Sequence, residues 1–294
     1  MVIRFMKQLL YLLMPLLVCS SCIYRRESKA DKPMIAVSIE PMRYFVETIA
    51  GESFSVKTLV PRGSSPETYE PVPSQLMEME HCKAYFRVGP IGFEEVWMGR
   101  LQALVPSMQV MDMSSGIQFI HDTHSCESGH SDGCEPHVWT SPRNARIMAG
   151  NIYRALCQLA PSDSLDFRQR WLTLDSLMSE TDSLVAAKLL QETDSTFLIY
   201  HPTLSYFARD YGLRQLCIEE GGKEPTPIHL RELVDACRRM GTRVIFMQQQ
   251  FDTRHAEVIA SEVGLRIIPI NPLSYHWRDE VLRVADALRK EEGL

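Results

Sequence analysis

Between Ser164 and Leu190 the chain runs without a glycine or a proline, and on either side of this stretch short β-rich runs alternate with helical patterns. Nothing in it would break a helix. Phe167, Trp171, Leu174, Leu177, Met178, Leu184 and Leu189 fall roughly on one helical stripe. The pattern predicts a connecting helix over 163–191 that joins an N-terminal half, 33–162, to a C-terminal half, 192–294. Candidate strands in the first half are Met34–Ile39, Val56–Pro61, Ala84–Gly89 and Met108–Met113. In the second they are Thr196–His201, Arg214–Glu220, Arg243–Gln250 and Arg266–Asn271. Strands that alternate with helices pair in parallel. The predicted fold is therefore α/β: two lobes with mainly parallel four-stranded sheets, joined by one long helix.

The first residues bear on location. Arg4 and Lys7 precede an apolar run, Leu9 to Val18, and then Ser20-Ser21-Cys22. The run is shorter than the ~20 residues a spanning helix needs and reads as a secretory leader. Small residues before a cysteine predict a signal peptide over 1–21, lipidation at Cys22 and a polar tether over 22–32. The protein is then expected in the cell envelope, lipid-anchored to a membrane and facing the periplasm; the alternative is an ordinary leader that releases a soluble chain. The net charge is −6, and loss of the leader removes two basic residues and no acid. An acidic chain without a basic patch does not suit nucleic acid. Outside the cytoplasm disulfides persist, and Cys126 and Cys134 are the pair expected to bridge. Cys82, Cys157, Cys217 and Cys237 sit in apolar or helical contexts and read as packing cysteines.

Residues 121–135 are rich in histidine and acid. His121, His124, His130 and His137 account for four of the nine histidines, and almost nothing nearby could build a core. Such a segment cannot bury enough apolar surface to order itself. Imidazole and carboxylate are ligands for borderline divalent ions, zinc foremost. His121, His124 and His130 are therefore expected to act as an auxiliary metal-collecting loop, or as a solvated linker with incidental histidines. The loop delivers His137 into Glu-Pro-His-Val-Trp-Thr-Ser-Pro.

In open α/β sheets ligands bind beyond the carboxyl ends of the strands. Glu67, His137, His201 and Asn271 all lie there, two from each half. Pro136 and Pro202 restrict the backbone beside the two histidines, which lowers the ordering cost of a site. A lone histidine at a strand end is more often structural, but two histidines and a glutamate in equivalent places point to a zinc-type shell. Trp139, Tyr69 and Tyr206 are candidates to wall the cleft.

These segments resemble the zinc and manganese solute-binding lipoproteins of bacterial ABC importers, the ZnuA/TroA-like family. The likeness covers roughly residues 33–290. It rests on Pro-Arg-Gly-Ser-Ser-Pro-Glu-Thr-Tyr-Glu-Pro, Glu-Pro-His-Val-Trp-Thr-Ser-Pro, His-Pro-Thr-Leu-Ser-Tyr-Phe-Ala-Arg-Asp-Tyr-Gly-Leu and the later Asn-Pro-Leu. The resemblance implies a non-enzymatic, monomeric receptor that captures Zn²⁺ as its transported ligand and delivers it to an ABC transporter membrane permease. It implies His137 and His201 as the second and third ligands, the latter as in zinc members. Glu67 stands where the family commonly has its first histidine. Asn271 stands where many members have an aspartate, and is a weak ligand at best. The acidic position at the end of the seventh strand is replaced by Gln248-Gln249-Gln250. Alternatives are a Mn²⁺ or Fe²⁺ receptor of the same family and, from another class, a zinc-dependent hydrolase, although no His-Glu-x-x-His helix is present. The sequence leaves a cell-adhesion role open.

Overall fold

Strand β1 (Met34–Val37) pairs in parallel with β2 (Ser55–Thr58) on one side and β3 (Cys82–Arg87) on the other, and β4 (Gln109–Asp112) completes a sheet ordered β2-β1-β3-β4. The second half repeats the arrangement. Its strands β5 (Thr196–Ile199), β6 (Arg214–Cys217), β7 (Val244–Gln248) and β8 (Arg266–Ile270) form a parallel sheet ordered β6-β5-β7-β8. Pro269 is accommodated because β8 lies at the sheet edge, where a missing N–H costs no ladder bond. In each sheet the strand order reverses beside the first strand, which opens a crevice at the carboxyl ends.

The computed structural model describes residues 32–121, 134–190, 194–219, 223–251 and 254–289. The leader, Cys22, His124, His130 and Cys126 lie outside the described residues, and with them the expected Cys126–Cys134 bridge. The described residues from Pro33 onward form one compact unit. No described helix is long and apolar enough to cross a membrane.

Helices α1 (Glu40–Ala50), α2 (Pro73–Glu78), α3 (Gly92–Leu104) and α4 (Pro142–Leu159) belong to the first half. Ser141 caps α4 by accepting the Asn144 N–H at 3.1 Å, with Pro142 in the first turn, the position where proline loses nothing. Helix α5, Ser164–Leu189, is the continuous rod expected between the halves. Its buried face is Phe167, Leu174, Met178, Thr181 and Val185, spaced seven, four, three and four apart as one helical stripe requires. Leu184, expected on that stripe, is instead 37% exposed, because Val185 takes the inward position. Helices α6 (Ser205–Tyr211), α7 (Pro227–Met240), α8 (Arg254–Val263) and α9 (Trp277–Ala287) belong to the second half.

One hydrophobic cluster continues through both halves, from Ile35 and Phe86 through Trp139 to Phe197, Phe246 and Trp277. Indole hydrogen bonds cross it. Trp139 Nε1 donates to the Pro272 carbonyl at 2.8 Å, and Trp277 Nε1 donates to the Trp139 carbonyl at 2.7 Å. Of the packing cysteines, Cys82 and Cys237 are buried, while Cys157 and Cys217 are half-buried.

Candidate metal centre

Three of the loops beyond the strand ends converge. Glu67 follows β2, His137 follows β4, and His201 follows β5 almost at once. One ligand atom from each of these residues lies within 4.8 Å of the other two. The imidazole rings stand nearly perpendicular, 82° apart, with centroids separated by 5.0 Å. Glu67 Oε1 lies 3.9 Å from His137 Nε2.

Each histidine is held from behind by a carboxylate. His137 Nδ1 donates to Glu135 Oε1 in a short hydrogen bond, and His201 Nδ1 donates to Glu219 Oε2 at 2.6 Å. A bond at Nδ1 fixes the tautomer and leaves the Nε2 lone pair free to coordinate. His201 Nε2 is buried and has no hydrogen-bond partner. An orphaned buried nitrogen is rare in folded proteins, and here it belongs to a group that an ion would complete.

Burial draws the His137 imidazole down. The Glu135 charge and hydrogen bond, with Glu67 and Glu219 further out, outweigh it and hold the group above its ordinary value. Burial likewise pushes Glu135 up, but the His137 charge and hydrogen bonds hold it below the ordinary carboxylate value.

The space between the ligands is a cavity of about 20 Å³. Pro66, Trp139, Phe251, Pro272 and Leu273 wall it, with Thr203, Gln248 and Gln250 as polar lining. Phe251 stacks on the His201 ring at 5.1 Å. Gln248 pinches the His201 loop, donating to the His201 carbonyl at 2.6 Å and to Thr203 Oγ1 at 3.1 Å. It fixes backbone and adds no charge.

The other candidates lie elsewhere. Asn271 faces a separate cavity of about 190 Å³ with Glu40, Arg62 and Tyr275. Its Oδ1 accepts the Leu273 N–H at 3.2 Å, a local turn bond that already engages the oxygen a weak fourth ligand would use. His121 is exposed at the base of the acidic loop, with Nδ1 3.3 Å from Cys134 Sγ. Trp139 does wall the cavity, but Tyr69 turns away to donate to Gln75 Oε1 at 2.6 Å. Tyr206 reaches Glu135, donating its hydroxyl to that carbonyl at 2.6 Å.

Sequence reasoning missed Glu135 and Glu219. The signal was present in both cases. Glu135 sits two residues before His137 across a rigid proline, and Glu219 lies beyond the carboxyl end of β6, where the other site residues were sought.

Over residues 35–280 the sequence matches the family described as ZnuA, zinc-uptake complex component A, periplasmic. The chain belongs to that family. ZnuA-family proteins are solute-binding receptors of ABC metal import, not enzymes, and bind a divalent metal such as zinc; the hydrolase alternative does not hold. A crystal structure of ZnuA is 32% identical, with a TM-score of 0.81, covering 87% of this chain and 97% of that one. A zinc-bound ZnuA deletion mutant is 30% identical, with a TM-score of 0.82, covering 89% and 100%. The zinc-binding protein AdcA of Streptococcus pyogenes serotype M3 is 23% identical over 263 residues, 82% of this chain. The chain spans about half the length of that relative, 50%.

Proposed function

We propose that this protein is an extracytoplasmic receptor that takes up Zn²⁺ through Glu67 Oε1, His137 Nε2 and His201 Nε2 and passes it to an ABC permease. The observation that carries the reading is the convergence of these three side chains on one small cavity, with His201 Nε2 buried and unpartnered. Two neutral imidazoles and one carboxylate form a three-ligand zinc shell with a fourth position left for water. Glu135 and Glu219 orient the rings before the ion arrives, which lowers the cost of assembling the shell. The same reading carries a lipid anchor at Cys22, action as a monomer, and His121 as part of the collecting loop. Titration of metal-free protein with Zn²⁺ and Mn²⁺ tests it. Zn²⁺ is expected to bind one per chain and more tightly; tighter binding of Mn²⁺ would contradict the assignment of cargo.

A further inference from the structure

Glu67 is gripped at its back by the start of helix α3. The Gly92 N–H donates to Glu67 Oε2 at 3.2 Å, and the next amide, Phe93 N–H, donates to the Pro66 carbonyl at 2.8 Å. Two consecutive amides thus hold the Pro66–Glu67 segment, and one of the two carboxylate oxygens is already engaged. The other, Oε1, is the oxygen near His137 Nε2, at 3.9 Å. Glycine leaves room for this approach, which a side chain would crowd. A Cβ on residue 92 would stand 2.8 Å from Glu67 Oε2, 3.0 Å from the Glu67 carbonyl oxygen and 3.1 Å from its Cα. Two of those atoms are backbone and would have to give by a few tenths of an ångström, while the carboxylate would be pushed off its place.

We propose that Gly92 is a specificity-determining residue: its amide confines Glu67 to one ligating oxygen and so favours a four-coordinate ion, Zn²⁺, over six-coordinate Mn²⁺. The inference rests on the reading of Glu67, His137 and His201 as the ligands. A cavity needs roughly 10–15 Å³ to hold one water, and the space here is about 20 Å³. One solvent ligand completes a tetrahedral shell. Of the lining, Trp139, Phe251 and Pro272 offer no donor toward an octahedral one, and the Gln248 amide is committed to the His201 carbonyl and Thr203 Oγ1. Manganese prefers six mainly oxygen donors; a bidentate Glu67 would have to share the oxygen already held by the Gly92 amide, and the small cavity restricts extra waters.

Cobalt(II) reports the coordination number directly, because four-coordinate complexes give intense visible bands and six-coordinate complexes weak ones. Full-length metal-free protein is loaded with Co²⁺ and, separately, titrated with Zn²⁺ and Mn²⁺, for the wild type, Gly92→Ala and His137→Ala. The wild type is expected to give intense bands. In Gly92→Ala the Cβ displaces the carboxylate, the bands weaken, and the ratio of Zn²⁺ to Mn²⁺ affinity falls about tenfold or more, the scale on which contacts behind a ligand act. Weak bands in the wild type, with stoichiometric Co²⁺ that is lost in His137→Ala, overturn the role of Gly92 and leave the site intact. An unchanged affinity ratio in Gly92→Ala also overturns it. Failure of the wild type to bind any of the three ions overturns the site itself. If Gly92→Ala does not fold, the wild-type spectrum decides.

Discussion

Ser205 Oγ donates to Glu135 Oε2 at 3.1 Å, so the carboxylate that orients His137 is also tied to the helix that follows the His201 loop. Gln215 Nε2 donates to the same hydroxyl at 3.0 Å, and its Oε1 accepts the Leu204 N–H at 3.0 Å. Glu135 therefore orients the His137 ring and also contacts the segment that follows His201, where the Ser205 hydroxyl has the Pro202 carbonyl as a second acceptor at 3.0 Å. Ser205→Ala should keep the fold and weaken Zn²⁺ binding several-fold, in line with the ~0.5–1.5 kcal/mol of a neutral hydrogen bond, somewhat more for one to a charged group. Calorimetric titration of wild type and variant checks this; equal affinities would show that the link is idle.

Glu135 and Glu219 act behind the ligands, not on the ion. Glu135→Gln and Glu219→Gln are each expected to lower Zn²⁺ affinity by about 10–100-fold while retaining stoichiometric binding at high metal concentration. Competition against a chromophoric chelator measures this. Loss of stoichiometric binding altogether would make either residue a ligand.

Acid should weaken binding early. Zinc requires neutral imidazole, and the His137 imidazole sits above its ordinary value despite burial, held there chiefly by Glu135. Proton competition therefore begins at a higher pH than the ~6.5 of an unperturbed histidine. In the metal-free protein the sign is opposite. Protonated His137 stabilises the fold fully below the unfolded pKa, and that stability is lost as pH rises through the folded one. The rise in Tm on adding Zn²⁺ should thus shrink as pH falls from 8 to 6, as thermal melts with and without metal would reveal. A constant increment down to pH 6 would contradict it.

Glu94 predicts a second pH signature, away from the metal. Burial pushes its carboxyl up to about 7, against hydrogen bonds from Ser38 Oγ, Val88 N–H and Gly89 N–H and the nearby Arg87 guanidinium. The folded state then holds a proton that the unfolded chain releases near ~4.3. Its contribution makes the fold more stable as pH falls from about 7 toward that value. Thermal melts of wild type and Glu94→Gln across this window should diverge in favour of wild type as pH drops; parallel curves would show that Glu94 does not titrate there.

The sheets were legible because buried parallel strands and their crossover helices leave a repeating signature, and each of the eight observed strands overlaps its predicted run. The long helix was legible for a simpler reason, an uninterrupted stretch between Ser164 and Leu190 that offers no helix breaker. Its inward face was less so. Leu184 and Val185 are adjacent and both apolar, and only packing decides which one turns in. At the site, the histidines announced themselves by position at strand ends. Asn271 shares that position, and its Oδ1 also accepts a bond from the backbone two residues on, a local partner that spacing alone does not reveal. The grip of Gly92 on Glu67 joins residues 25 apart and depends on where α3 starts, which only the fold determines.

On the proposed function, His137 and His201, one from each half of the chain, share one Zn²⁺ ion. Metal content by mass spectrometry, after equilibration with zinc and removal of loose metal, tests it in wild type, His137→Ala and His201→Ala. Wild type should retain about one zinc per chain, as a single three-ligand site requires, and each variant should lose most of it. Full retention in both variants would mean that the ion, if bound at all, sits somewhere else.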